Sequence, residues 1–266
     1  MHYLRIDDIG ASSKVFEYYG KNSINIFGKV RRIPERLSNF LFLKEIPLWK
    51  GWAKYRELNF NDWIDLINYL ISNKLVLNVA VTACWVDQFG ELCLFSDMFP
   101  EQVEIINYGI KNNVIYILNH GLTHCIPGLH KPLLFKSNQK YHREFTKYLS
   151  LEKQYFHLRE SQEILKKIFK VTPKILVPPG NNFNVDTLRA MQRLKMRYIQ
   201  CHRDTTHQPS DMELLEYGII HMDNSFVQVL HDKDIVVSGL HYLESIKNNS
   251  VNSNFDSMDG LIEAYE

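Results

Sequence analysis

Short apolar runs alternating with stretches of helical period constrain this chain more than any other feature. Strand-like runs fall at Tyr3 to Ile6, Leu75 to Thr82, Val114 to Leu118, Lys174 to Val177 and Met196 to Gln200, and three more at Gly218 to Met222, Ser225 to Leu230 and Asp234 to Leu240. From Asn61, the residues Trp63, Ile64, Ile67, Leu70 and Ile71 recur at spacings of three and four, with Asn61 or Asp62 as the cap. Pro100 opens a second helix, residues 146–169 form a longer one with Leu151, Tyr155, Leu158, Leu165 and Phe169 on one face, and Asn184 or Asp186 starts another. Strands alternating with helices predict an α/β domain with a mainly parallel sheet. Barrels of that class gather their reactive groups at the C-terminal ends of the strands.

Composition narrows the possible partners. The chain has 266 residues, 45% of them apolar and 12% aromatic, enough for a full globular core. Net charge is +1, so there is no electrostatic reason to expect nucleic acid or an anionic surface as a partner. No apolar run of about 18 residues suggests a membrane span. Met1 enters the first strand without a basic and apolar leader, which predicts a cytoplasmic protein. Cys84, Cys93, Cys125 and Cys201 are scattered and read as reduced thiols, with Cys125, beside His124, the one to watch. Residues 11–60 are aromatic, broken by Pro34 and Pro47, and without a sustained period. The tail from Lys247 is polar, then acidic, and is expected to fray. A domain over 1–245 with an aromatic insertion at 11–60, followed by a tail at 246–266, is the expected organisation.

The polar residues at strand ends carry the chemistry. The first strand runs into Asp7 and Asp8, which can share a pocket only if the strand breaks, and Gly10 permits a break. Two carboxylates this close repel, and a cation between them is the economical remedy. His120 and His124 are four apart, a recurring metal half-site, but Gly121 stands where a zincin needs Glu. Asp8 would complete a His-His-carboxylate set with an open position, as in catalytic zinc sites. Alternatively, the two imidazoles simply bond to backbone in a strand-end turn. Pro178-Pro179-Gly180 could hold a loop rigidly and aim a backbone N–H at a pocket, or merely end a strand. His241 and His231, each after an apolar run, are rival general acids. Trp85, Trp49 and Trp52 could stack on a sugar or pack in the core.

In this order, Arg5-Ile-Asp7-Asp8-Ile-Gly10, His120-Gly-Leu-Thr-His124 and Val177-Pro-Pro-Gly180, with the helices around the third motif, resemble the polysaccharide deacetylase (NodB-homology) family from about residue 2 to about 243. The resemblance implies a deformed (β/α) barrel and hydrolysis of an N-acyl group, typically acetyl, from an amino sugar. It implies Asp7 as general base, Asp8, His120 and His124 as ligands of a divalent metal, usually zinc, and His241 as the late acid. Trp85, Pro179, Gly180 and Arg5 are the candidate substrate-side residues. Where the family often carries Arg to orient the base, this chain has Val177, and Arg5 is the available substitute. The missing leader favours a nucleotide- or lipid-linked precursor of a surface polysaccharide as substrate. A silent carbohydrate-binding protein on the same barrel, and a deformylase or phosphohydrolase with the same ligand set, are the alternatives.

Overall fold

A computed structural model describes residues 3–12, 23–32, 57–87, 89–130, 139–203, 207–222, 225, 227–249 and 257–265. Among the described residues, seven strands form one parallel sheet. They are β1 (Tyr3–Ile9), β4 (Leu77–Val81), β7 (Ile115–Asn119), β8 (Ile175–Leu176), β9 (Tyr198–Gln200), β10 (Ile220–Met222) and β11 (Val227–His231). Their order across the sheet is β10-β9-β8-β7-β4-β1-β11, with every pairing parallel. Two hairpins lie outside it, β2 (Ser23–Ile26) with β3 (Lys29–Arg32), and β5 (Cys84–Val86) with β6 (Leu92–Leu94).

The sheet curls into a deformed (β/α) barrel. Tyr3, Ala80, Leu118, Ile175, Val177, Tyr198, Met222 and Val227 form one buried cluster, although Met222 and Val227 belong to opposite edge strands. Both faces of β1 are therefore buried. Leu4 and Ile6 face a second cluster shared with the helices, while Tyr3 points into the barrel. The period of two in the first strand separates the helix side from the barrel interior, and both are dry.

The helices surround the sheet, all but the last of them on its outer side. They are α1 (Phe60–Asn73), α2 (Phe95–Met98), α3 (Pro100–Lys111), α4 (Leu151–Phe169), α5 (Val185–Arg193) and α6 (Asp211–Glu216), followed by α7 (Asp232–Ser238), α8 (His241–Asn249) and α9 (Met258–Tyr265). The cap of α1 is Asn59, not Asn61 or Asp62. Its side chain accepts from the Asp62 N–H (2.9 Å) and the Asp62 carboxylate returns to the Asn59 N–H (2.7 Å), so Asp62 is the third helical residue of a capping box. Asn184 caps α5 in the same reciprocal way with Thr187. Helix α4 begins at Leu151 rather than 146, because residues 142–150 form turns before it.

Two expectations are overturned. The run expected as a strand at Asp234 to Leu240 is helix α7: the His231 N–H donates to Asp234 (2.8 Å), and two aspartates in the first turn suit a helix N-terminus better than the β-branched Ile-Val-Val run suits a strand. The expected frayed tail holds α9, whose Met258 and Ile262 are buried inside the barrel cluster. The amide of Asn78 pins it, donating to Leu4 O (3.0 Å) and accepting from the Met258 N–H (2.8 Å). Most of the 11–60 segment, including Trp49 and Trp52, lies outside the described residues. Among the described residues, no helix is long and apolar enough to cross a membrane.

Candidate metal centre

The inward side chains change character along each strand. In β1 the interior line runs Tyr3, Arg5, Asp7; in β11 it runs Val227, Val229, His231; in β7 it continues from Leu118 to His120 just past the strand. Apolar groups fill the N-terminal half of the barrel and polar ones collect at the C-terminal rim.

Asp7 and Asp8 reach one pocket through a break in β1. The register against β4 shifts between Ile6 and Ile9, and Asp8 has φ +68°, a left-handed conformation unusual for a strand. The break expected at Gly10 (φ +75°) thus begins two residues earlier. The Gly10 N–H donates to Glu57 (2.8 Å), which ties down the turn.

Asp8 meets both histidines. Its Oδ1 lies 3.2 Å from His120 Nε2 and 3.1 Å from His124 Nε2, and the three ligand atoms all lie within 4.8 Å of one another. His120 Nδ1 is 2.7 Å from the Val177 carbonyl. That oxygen can only accept, so Nδ1 carries a proton, and in the neutral ring Nε2 is then a bare lone pair. A lone pair facing a carboxylate oxygen at 3.2 Å requires a proton or a cation between them. Tetrahedral zinc, with bonds of about 2.0–2.1 Å, separates its donors by about 3.3–3.4 Å. The donor set and its spacing fit such an ion.

Arg5 holds Asp7 with both arms of its fork. Nε to Oδ1 and Nη2 to Oδ2 are each 2.7 Å, and both residues are buried. Val177 instead lends its side chain to the barrel core and its carbonyl to His120. Arg5, two residues before Asp7, is thus the cation in direct contact with that carboxylate.

The two candidate acids separate clearly. His231 is in register with Asp7 on the neighbouring strand, so both side chains leave the sheet on the same face. Its ring is 40% exposed, with Nδ1 3.7 Å from Asp234. His241 sits on α8, 90% exposed, its Nδ1 3.0 Å from Glu244. Its expected place at a strand end disappears along with the strand. Trp85 is half-buried on β5, edge-on to Phe99 with ring centres 5.3 Å apart. Pro179 is buried and Gly180 exposed in a turn over Pro179–Asn181, with the Arg143 side chain lying against Gly180.

Several residues went unnoticed in the sequence. His142 packs edge-on to His124 (4.8 Å between centres), and His130 lies 5.5 Å beyond it. Burial, with the positive potential of His124 adding to it, pushes His130 down to about 4 and His142 well below its ordinary range. Cys125 is buried, and burial with the nearby Glu144 charge raises its thiol pKa, which disfavours the thiolate. Polar residues also line the inner face of α4. Ser161 accepts from Asn119 (2.9 Å), and His157 bonds Glu144 (2.6 Å).

The fold is a parallel barrel that presents a carboxylate and two imidazoles together at its C-terminal rim. A family profile described as polysaccharide deacetylase matches residues 65–199, just over half of the chain, and the chain belongs to that family. The match includes His120, His124 and Val177 to Gly180 but stops short of Asp7 and Asp8. No curated protein matches by sequence. Among solved structures, the chain is similar to a CE4 family pseudoenzyme from Bacillus anthracis (10% identity, TM-score 0.46, 76% of this chain and 61% of that one). It is also similar to a family 4 acetyl xylan esterase from Clostridium thermocellum (12%, 0.48, 79% and 87%) and a family 4 carbohydrate esterase from Streptomyces lividans (12%, 0.43, 71% and 82%). The chain thus spans under two thirds of the length of the Bacillus protein.

Proposed function

We propose that this chain is a metal-dependent hydrolase that removes an N-acyl group, acetyl by preference, from an amino sugar. The observation that carries the reading is the convergence of His120 Nε2 (3.2 Å) and His124 Nε2 (3.1 Å) on one Asp8 oxygen, with His120 Nδ1 held by the Val177 carbonyl. Asp8, His120 and His124 would hold the ion. A divalent cation bound there, zinc by its donor set, would supply Lewis acidity toward water and an acyl carbonyl.

The chain's own groups account for the proton traffic. Asp7, fixed by the Arg5 fork, takes a proton from water as the general base. An amine leaves poorly as an anion, so a protonated group must face it. His231 takes that role in place of His241, because it stands in register with Asp7 at the rim and turns its ring to the same face of the sheet. Membership of the polysaccharide deacetylase family supports a carbohydrate as the carrier of the acyl group.

Metal analysis and acetate release test the reading together. Wild type should hold about one equivalent of zinc, and His120→Ala should lose it. Asp7→Asn should keep the metal and lose roughly 10²–10⁴-fold in kcat, the usual worth of a general base. His231→Asn should depress kcat and His241→Asn should not. Acetylated polymers and acetylated sugar nucleotides assayed side by side would identify the carrier. Zinc bound without acetate release from any of them would leave a silent carbohydrate-binding protein as the better description.

A further inference from the structure

The turn that carries both histidines is held in a conformation it would not adopt unaided. Gly121 has φ +86° and His124 has φ +61°. A non-glycine residue in the left-handed region is strained and persists where its surroundings over-determine it. The Asn119 Oδ1 accepts the Gly121 N–H (2.8 Å) at the start of the turn, and a single carboxylate holds the rest. Glu144, fully buried, accepts the N–H of Leu122 (3.0 Å) on Oε1 and those of Thr123 (3.2 Å) and His124 (3.0 Å) on Oε2. Three successive N–H groups converging on one anion form the same kind of cradle that binds phosphate elsewhere. His157, on α4, completes it by donating Nδ1 to Oε1 at 2.6 Å. Space for the carboxylate exists only because residue 121 lacks a Cβ: one added there would overlap Glu144 Oε2.

We infer that Glu144, buttressed by His157, is the positioning residue of the centre: it locks the His120–His124 turn in the one shape that brings both Nε2 atoms to Asp8. Neither residue touches the proposed ion. The inference rests on the metal reading above for its consequence, not for its geometry. Without the carboxylate, three buried N–H groups lose their acceptor and the penalty at His124 goes unopposed, so the turn relaxes and the two imidazoles separate.

The test uses the full-length protein as Glu144→Gln, which keeps shape but turns an amide N–H₂ toward the backbone donors, and as His157→Leu, which leaves Glu144 in place without its buttress. Hydrogen exchange at Leu122, Thr123 and His124 is measured without metal, against Val79 and Ile117 in the sheet as references. Zinc affinity is measured by chelator competition. Exchange at the three turn amides should rise at least about tenfold in Glu144→Gln with the references unchanged, and zinc affinity should fall about 10–100-fold, as expected for groups that orient ligands. His157→Leu should move both readouts in the same direction by less. Unchanged turn amides in both variants, or zinc affinity within about threefold of wild type in a folded Glu144→Gln, would overturn the inference. A wild type that binds no zinc, while the turn amides still respond, would sink the metal reading and leave the lock standing.

Discussion

Arg5 and Asp7 carry opposite charges two residues apart on one strand, so their side chains leave it on the same face. Inside the barrel that spacing becomes a buried two-armed ion pair. Removing one partner of such a pair strands the other charge, at about 3–5 kcal/mol. Geometry matters as much as charge, because only guanidinium matches both carboxylate oxygens. Arg5→Lys should therefore bind zinc as wild type does yet lose about 10–100-fold in kcat through a misaligned base. Equal loss of metal and turnover would show instead that Arg5 supports the fold of the rim. Arg5 was legible as a candidate partner for Asp7; the two-armed geometry of the pair became visible only in the fold.

At the scale of elements, α4 and α9 show two kinds of signal. The inner face of α4 carries Gln154, His157 and Ser161 at helical spacing among Leu158 and Leu165. Polar residues on an otherwise apolar stripe need partners, and that mismatch was readable in the sequence although the partners Asn119 and Glu144 were not. In α9, by contrast, the flanking Asn, Ser and Asp residues conceal a helix that plugs the barrel with Met258 and Ile262. Local composition could not reveal it, since the stabilising surface belongs to seven distant strands. Ile262→Ala should cost about 2–5 kcal/mol and lower Tm accordingly, with zinc binding retained. A Tm unchanged within a degree would mean that the helix does not dock there.

Over the whole molecule, the buried histidines predict an acid-sensitive fold. His130, held near 4 by burial and by His124, is neutral in the folded chain and titrates at its ordinary value of 6.5 once unfolded. Protons then favour the unfolded state: the stabilisation is complete above about 6.5 and is lost as pH falls toward 4. The difference amounts to up to about 3 kcal/mol. Denaturant melts at pH 7.5, 6 and 5 should show stability falling more steeply in wild type than in His130→Phe. Parallel slopes would remove His130 as the cause.

Most of the strand and helix pattern of this chain, and Asp7, Asp8, His120 and His124 as candidate site residues, were legible from period, capping chemistry, histidine spacing and like charges set side by side; the role of Asp7 as base came from the family resemblance. The tertiary structure alone decided that His231 rather than His241 stands next to Asp7, that Arg5 meets Asp7 with both arms of its fork, and that Glu144 accepts three N–H groups of the histidine turn. Those three depend on strand order and on which wall of a curled sheet each side chain meets. Both are settled by the burial of the whole core, not by any stretch of sequence short enough to read by itself.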